Sequence, residues 1–190
     1  MKVKFILIIC VILALVFSCA KPPVEEMDNA KEAVFKAEND EDAVQYASGT
    51  LARARDALRR MQNEADSKNY EAAKTLAAEA IVAADKAITD GKAASIRDRD
   101  EAASLLSGLR PEIEETERNI NGARYSLLAL NYNDLERDLR TAEDDADQAE
   151  ANLQSSKYQD AIEKGMSARS IIGGINEKIT NAATASSAKK

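Results

Sequence analysis

The chain has 190 residues, of which 26 are basic and 33 acidic, and it contains no histidine and no tryptophan. The missing histidine excludes the commonest general base and transition-metal ligand, and the net charge of −7 argues against a nucleic-acid partner. The only cysteines are Cys10 and Cys19, so the chain beyond residue 19 holds neither a disulfide nor a thiolate zinc site. We therefore expect no enzymatic activity, no cofactor and no metal.

Residues 1–18 have the pattern of a bacterial signal peptide. Lys2 and Lys4 precede an apolar run over residues 5–17, which has the length of a signal-peptide core and is short for a membrane-spanning helix. The following Val-Phe-Ser-Cys sequence, residues 16–19, resembles the lipobox that lipoprotein signal peptidase cleaves, although Phe17 is bulkier than usual. Cys10 is disfavoured because a large isoleucine precedes it. We predict cleavage before Cys19 and lipidation of that cysteine, the alternative being an ordinary secretory signal with a coincidental cysteine.

The predicted anchor determines the expected location of the chain. Loss of Lys2 and Lys4 with the signal peptide changes the net charge from −7 to −9, so an anionic membrane would attract the protein only through its acyl chains. Residues 19–23 then form a short lipidated tether. Ala20 and Lys21 lack the aspartate associated with inner-membrane retention in enteric bacteria, which favours the outer membrane, facing the periplasm.

From residue 24 onward the sequence predicts helices alone. Alanine, glutamate, lysine, arginine and leucine dominate, and Pro111 is the only proline beyond the tether. Apolar residues recur at alternating steps of three and four, which places one narrow apolar stripe on each helix. The predicted fold is all-α: an elongated antiparallel helical bundle with coiled-coil-like packing. The stripes comprise Met27, Ala30, Val34 and Ala37; Leu51, Ala54, Leu58, Met61 and Ala65; Tyr70, Ala73, Ala77, Ala80, Ala84, Ala87, Gly91 and Ala94; Ala102, Leu106, Leu109, Ile113, Thr116, Ile120, Ala123, Leu127 and Leu130; Leu135, Leu139, Ala142, Ala146, Ala149 and Leu153; and Tyr158, Ala161, Gly165, Ala168, Ile172, Ile175 and Ile179.

Breaks in these stripes predict six helices in two three-helix units. Ser48 is a candidate cap for the second helix, and Asn133 or Asp134 for the fifth. Pro111 either kinks a continuous helix or separates two helices that lie nearly end to end. The first unit is predicted to span residues 24–107 and the second residues 108–180, followed by a disordered tail at 181–190. The predicted helices are 24–38, 50–66, 69–106, 111–131, 134–154 and 157–180.

The sequence contains an internal repeat with an offset of 88 residues. Ser-Lys-Asn-Tyr-Glu-Ala-Ala at residues 67–73 recurs as Ser-Ser-Lys-Tyr-Gln-Asp-Ala at residues 155–161. At the same offset Leu51 aligns with Leu139 and Ala54 with Ala142. We therefore predict that the two units are related by duplication.

The tyrosine-containing segment also carries a family resemblance. Lys-Asn-Tyr-Glu-Ala-Ala-Lys-Thr-Leu-Ala-Ala-Glu-Ala at residues 68–80 follows a predicted helix with Leu-Ala-Arg-Ala-Arg-Asp-Ala-Leu at residues 51–58. Together with Ala-Val-Gln-Tyr-Ala at residues 43–47, this resembles an alanine-rich helical domain of unknown function found in envelope lipoproteins of Gram-negative and spirochaete bacteria. The resemblance covers about residues 28–90 and, in degenerate form, residues 123–175. It implies an envelope location and a helical fold, and it supplies no functional residues.

Several polar clusters are candidate binding sites. The acidic residues Glu143, Asp147 and Glu150 share one helical face, where a solvated surface is favoured over calcium binding because a single helix rarely surrounds a cation. A second acidic group follows Pro111 and complements a helix dipole. The basic group is assigned to pairing within the bundle rather than to lipid head groups or an acidic partner, and Tyr70 and Tyr158 are assigned to packing between helices. The second acidic group is Glu112, Glu114, Glu115 and Glu117, and the basic group is Arg53, Arg55, Arg59 and Arg60.

These features favour a lipid-anchored envelope protein with a structural or protein-interaction role. Its alanine-rich seams bury little area per residue, which suggests self-association or docking on an envelope protein partner. A peptidoglycan-tethering lipoprotein is one alternative, because Ala188-Lys189-Lys190 is superficially similar to the wall-linked end of the murein lipoprotein. A helical module that binds a lipid or peptide is another.

Overall fold

A computed structural model describes residues 21–188; the predicted signal peptide, Cys19 and the final Lys189 and Lys190 lie outside the described residues. All regular secondary structure between Lys21 and Ala188 is helical, which confirms the predicted all-α class. The six helices are α1 (Val24–Glu38), α2 (Glu41–Tyr46), α3 (Ser48–Asp66), α4 (Tyr70–Tyr125), α5 (Tyr132–Gln154) and α6 (Tyr158–Ser187).

The short helix α2 occupies the segment that the sequence suggested was a connection. It begins after Asp40, whose carboxylate accepts a hydrogen bond from the backbone N–H of Ala43 at 2.8 Å. The predicted caps of the next helices were wrong. Ser48 is the first helical residue of α3, and the side chain of Asn131 caps α5 by accepting from the N–H of Asp134 at 3.4 Å.

Helix α4 is continuous over 56 residues and includes Pro111. Of the two predicted alternatives, continuity through the proline is therefore confirmed, and the separate helices 69–106 and 111–131 do not form. Proline removes the N–H that would bond the carbonyl of Ser107, four residues earlier. Both Pro111 and Ser107 are exposed, so water can hydrate that carbonyl. The apolar stripe keeps its phase across the proline, and its burial at Leu109 and Ile113 favours one continuous helix.

The first unit extends to Lys92 and contains α1, α2, α3 and the first part of α4. Helices α1 and α3 are antiparallel: Glu38, at the end of α1, pairs with Arg55 of α3 at 2.6 Å, and Met27 lies near Ala65. Helix α1 runs parallel to α4, since Glu26 pairs with Lys74 at 2.8 Å. The unit is therefore an up-down-up bundle whose core is mostly alanine.

The second unit begins at Ala93, so the predicted boundary at residues 107–108 lies inside it. Its three helical segments are the rest of α4, α5 and α6. Helix α5 is antiparallel to both neighbours, because residue numbers rise on one helix as they fall on the other in two ion pairs with each. The pairs are Arg110–Glu150 and Arg124–Glu136 with α4, and Lys164–Asp145 and Lys178–Asp138 with α6. The core is richer in leucine and isoleucine than that of the first unit.

The predicted stripes form the cores of both units, with two corrections near the end of α4 and α6. Leu127 was predicted to be buried, but α4 ends at Tyr125 and the Leu127 side chain is 89% exposed. The predicted disordered tail begins at residue 181, yet α6 continues to Ser187. Residues 181–187 contain alanine, serine and threonine without glycine or proline, which permits the helix to continue.

The two turns that belong to the sequence repeat have the same backbone geometry. Lys68 and Ser156, 88 residues apart, have φ angles of 62° and 60°. The N–H of the following residue bonds the carbonyl five residues back in both turns, at 2.8 Å for Asn69 and 2.9 Å for Lys157. This is the Schellman geometry that ends helices. The same geometry also ends α4 at Leu127, outside the repeat, so the duplication stays a prediction from the sequence.

Candidate functional site

A groove with a volume of about 610 Å³ lies between α4 and α6 in the second unit. Its floor contains apolar side chains such as Ile172, and its walls carry polar side chains from both helices. Gly173 leaves open space along the α6 side, because a Cβ atom there would meet nothing within 4 Å. The lining residues are Glu112, Glu115, Thr116, Asn119, Arg169, Ile172, Gly173, Asn176, Ile179, Thr180, Ala183 and Thr184.

Two sets of hydrogen bonds cross this groove and fix the register of α4 against α6. The guanidinium of Arg169 donates to both carboxylate oxygens of Glu112 at 3.0 Å and to the carbonyl oxygen of Leu105 at 3.3 Å. Farther along, the amide of Asn176 donates to the fully buried Thr116 hydroxyl at 2.9 Å and accepts from Asn119 at 3.0 Å. A bidentate pair and a buried hydroxyl are geometrically specific, so this face of the unit is held in one arrangement.

Helix α5 carries the acidic residues that the sequence singled out. Asp147 and Glu150 both accept hydrogen bonds from Arg110, and these bonds raise the pKa of the Arg110 guanidinium above its usual value, Glu150 contributing most. Glu143 lies apart from this pair, in a smaller groove between α4 and α5. The predicted acidic face is therefore partly neutralised by a cation from α4.

Asp145 lies beside this acidic face and is buried, which the sequence analysis missed. Its carboxylate accepts from the Lys164 ammonium at 2.9 Å and from the Ser167 hydroxyl at 2.7 Å. The hydrogen bond from Lys164, followed by that from Ser167, lowers the pKa of Asp145. The repeat is the signal in the sequence that points to this burial, because Asp145 occupies the position of the buried Ala57 in the first unit.

The predicted arginine cluster lies on α3 and borders a second groove, of about 410 Å³, between α1 and α3. Arg55 pairs with Glu38 of α1, whereas Arg59 pairs with Asp56 of its own helix. Arg53 and Arg60 are exposed and have no ion-pair partner among residues 21–188. The apolar floor of this groove consists of Val34, Leu58 and Met61.

The remaining predicted positions are scattered over the two units. Tyr70 and Tyr158 are the first residues of α4 and α6 and are half-buried. Of the acidic residues after Pro111, Glu112 pairs with Arg169 and Glu114 with Arg118 of its own helix. Glu115 faces the α4–α6 groove, and Glu117 the smaller α4–α5 groove. The structure thus does not gather the predicted charged residues into one centre.

Residues 21–188 hold neither a candidate metal site nor a helix that could span a membrane. Residues 21–188 contain no group of three or more acidic side chains placed to hold a metal ion. None of the helices from α1 to α6 combines the length and apolar character needed to cross a bilayer.

Comparison with known families gives one match. Residues 25–103 match the family model of a domain of unknown function, DUF4398. The matched segment contains the described first unit from α1 onward and a short part of α4 in the second unit. No curated protein and no solved structure matches the chain.

Proposed function

We propose that this chain is a bacterial envelope lipoprotein, held at a membrane by acylated Cys19, with a structural or protein-interaction role and no enzymatic activity. The observation that carries the proposal is the lipobox-like Val-Phe-Ser-Cys sequence directly after an apolar run of signal-peptide length. The fold is consistent with it, since α1 begins at Val24. Four residues separate that position from Cys19, so the two Cα atoms are at most about 18 Å apart, and the first unit would lie close to the bilayer surface.

The proposed location is the outer membrane, facing the periplasm. Support comes from Ala20 and Lys21, which replace the aspartate that retains many lipoproteins in the inner membrane. The acidic net charge supports dependence on the acyl chains rather than on head-group binding.

Metabolic labelling with a palmitate analogue tests the anchor, and the chain contains its own control. Cys19→Ser is expected to abolish the label and release the protein from sedimented membranes, whereas Cys10→Ser should retain both properties. Density-gradient separation of the two membranes then tests the location. Labelling that survives Cys19→Ser would contradict the proposed lipidation, and acylated protein in the inner-membrane fraction would contradict the proposed compartment.

The interaction role is assigned to the α4–α6 groove, because its rigid polar walls and open apolar floor offer a formed surface to a partner. A photo-crosslinking amino acid at Glu115, which lines the groove, is expected to trap an envelope protein in living cells. The matched control is Glu114, which is exposed on the same helix but does not line the groove. Equal crosslinking from both positions, or none from Glu115, would refute this assignment.

A further inference from the structure

The turn between α4 and α5 has an apolar end that the fold does not use. Its backbone follows the Schellman pattern: the N–H of Leu128 bonds the carbonyl of Ala123 at 3.1 Å, and Leu127 has a φ of 53°. Lys68 and Ser156 hold the same left-handed position in the two other turns of this kind. Those turns place a polar side chain in water, and this one places a leucine there.

Leu127 is strained without a packing contribution that offsets the strain. The left-handed region favours glycine or asparagine, since the Cβ of other residues approaches the backbone. The leucine side chain is 89% exposed, and Tyr125 beside it is 90% exposed. Uncompensated backbone strain in an exposed apolar residue suggests a contact that forms outside this fold.

The segments next to this pair are uncharged, although 31% of the chain is charged, and the adjacent Arg124 is paired with Glu136. Residues 125–133 and residues 179–188 contain no charged side chain. Both segments lie at one end of the second unit, because Asn176 of α6 bonds Thr116 of α4 and Lys178 of α6 pairs with Asp138 of α5, so the last turns of α6 lie beside the end of α4 and the start of α5. In the sequence, Lys189 and Lys190 directly follow residues 179–188. Two cations are therefore joined to the uncharged end of the second unit that exposes Tyr125 and Leu127.

A tip-to-tip contact between two copies would be too small to hold them together. Two large side chains bury about 200 Å² each, giving about 800 Å² for both copies, whereas stable interfaces bury about 1,200–2,000 Å². A bilayer interface, in contrast, accepts single tyrosine and leucine side chains without shape complementarity.

We propose that Tyr125 and Leu127 insert into the interfacial region of a lipid bilayer, with Lys189 and Lys190 attracted to anionic head groups. The contact is weak by itself, because two side chains must overcome the repulsion between an acidic protein and an anionic surface. This inference rests on the proposed function only because the acyl anchor would hold the bilayer close to the turn, at high effective concentration.

The absence of tryptophan permits a specific reporter of this contact. Leu127→Trp is made in the full chain, isolated from membranes and reconstituted in vesicles of phosphatidylethanolamine and phosphatidylglycerol, with bromine on part of the acyl chains. Met166→Trp is the control, because Met166 is exposed in the same unit on α6, away from the turn. Flotation of the protein with the vesicles tests the acyl anchor, and quenching of the tryptophan by bromine tests insertion of the turn. The two proposals can therefore fail separately. Protein that does not float is mixed with the same vesicles for the quenching measurement.

Quenching and a blue-shifted emission are expected for Leu127→Trp and not for the Met166→Trp control. Adding Tyr125→Ser to Leu127→Trp should reduce the bound fraction of this turn about tenfold, which is the effect of returning one large apolar side chain to water. Leu127→Gly is expected to raise the melting temperature, which shows that the leucine is not retained for folding. Equal quenching at both positions, no quenching at the tip, or a blue shift that depends on protein concentration without bromine quenching would overturn the proposal; the last result would indicate a second copy.

Discussion

Gly91 permits a close approach between α4 and the backbone of α2 in the first unit, and its replacement by alanine should disrupt that contact. A Cβ atom at this position would lie 2.6 Å from the carbonyl carbon and oxygen of Asp42 and 2.7 Å from the backbone nitrogen of Ala43. These neighbours are backbone atoms of α2, so a side-chain rotation cannot relieve the clash. Helix α2 or α4 would have to move.

Two opposing contributions determine the magnitude. Alanine in place of glycine inside a helix stabilises it by about 0.8–1.0 kcal/mol. Overpacking a core costs about 1–3 kcal/mol, and the cost here belongs to the upper part of that range or above it because the obstacle is backbone. We expect Gly91→Ala to lower the free energy of unfolding by about 1–3 kcal/mol and the melting temperature by about 3–10 °C.

Two other glycines provide matched controls in the same assay, unfolding by heat and urea followed by circular dichroism. At Gly49, in the first turn of α3, an added Cβ meets nothing within 4 Å, so Gly49→Ala should be neutral or stabilising. At Gly165 the obstacle is the Leu105 side chain, 2.6 Å away at its Cδ2 atom. That side chain can rotate, so Gly165→Ala should fall between the other two variants. The reasoning is refuted if Gly91→Ala is as stable as Gly49→Ala.

Three further predictions concern the second unit. Asp145→Asn removes the charge that Lys164 and Ser167 bind, and it should lower the free energy of unfolding by about 1–2 kcal/mol. Because these partners lower the pKa of Asp145, the greater stability of the wild type is complete above the ordinary pKa of 3.8 and disappears as the pH falls through the lowered value. Urea titrations at several pH values would detect this change. Thr116→Val keeps the shape of the buried side chain but loses the hydrogen bond from Asn176, so it should cost about 1 kcal/mol, and no loss of stability would show that this bond is replaced by water. Leu109→Ala, at a side chain that is 1% exposed, should cost about 2–5 kcal/mol in the same titrations, and a smaller loss would indicate that the core around Leu109 collapses into the space.

The seams could be predicted from the sequence because apolar spacing directly determines which face of a helix is buried. Ala30, Ala54, Ala80 and Ala168 were predicted and are fully buried. Pro111 shows the limit of local rules: a proline favours a break, but the uninterrupted stripe on both sides outweighs it. The continuous helix therefore depends on tertiary packing. Of the two interpretations that the sequence left open, only the continuous helix is consistent with that packing.

The residues that the prediction missed depend on interactions between helices or on the position of a helix end. Asp145 appears as one more acidic residue in the sequence, and its burial depends on cations and hydroxyls contributed by α6. Leu127 continues the seven-residue spacing of the stripe, so its exposure follows only from the end of α4 at Tyr125. Neither the partners across the bundle nor the last residue of a helix is encoded in apolar periodicity.

The two units stabilise the same three-helix arrangement in opposite ways. The first unit fills its seams with alanine, and its helices approach so closely that Gly91 contacts backbone; the second uses leucine and isoleucine and contains all three buried polar side chains of the described chain, Ser95, Thr116 and Asp145. Close approach leaves no space for an added methyl group, whereas large side chains leave a cavity when truncated. The first unit should therefore be more sensitive to enlargement and the second to truncation. In the second unit, the buried Thr116 and Asp145 fix the register of α6 against α4 and α5 through Asn176, Lys164 and Ser167. The groove between α4 and α6 lies in this unit.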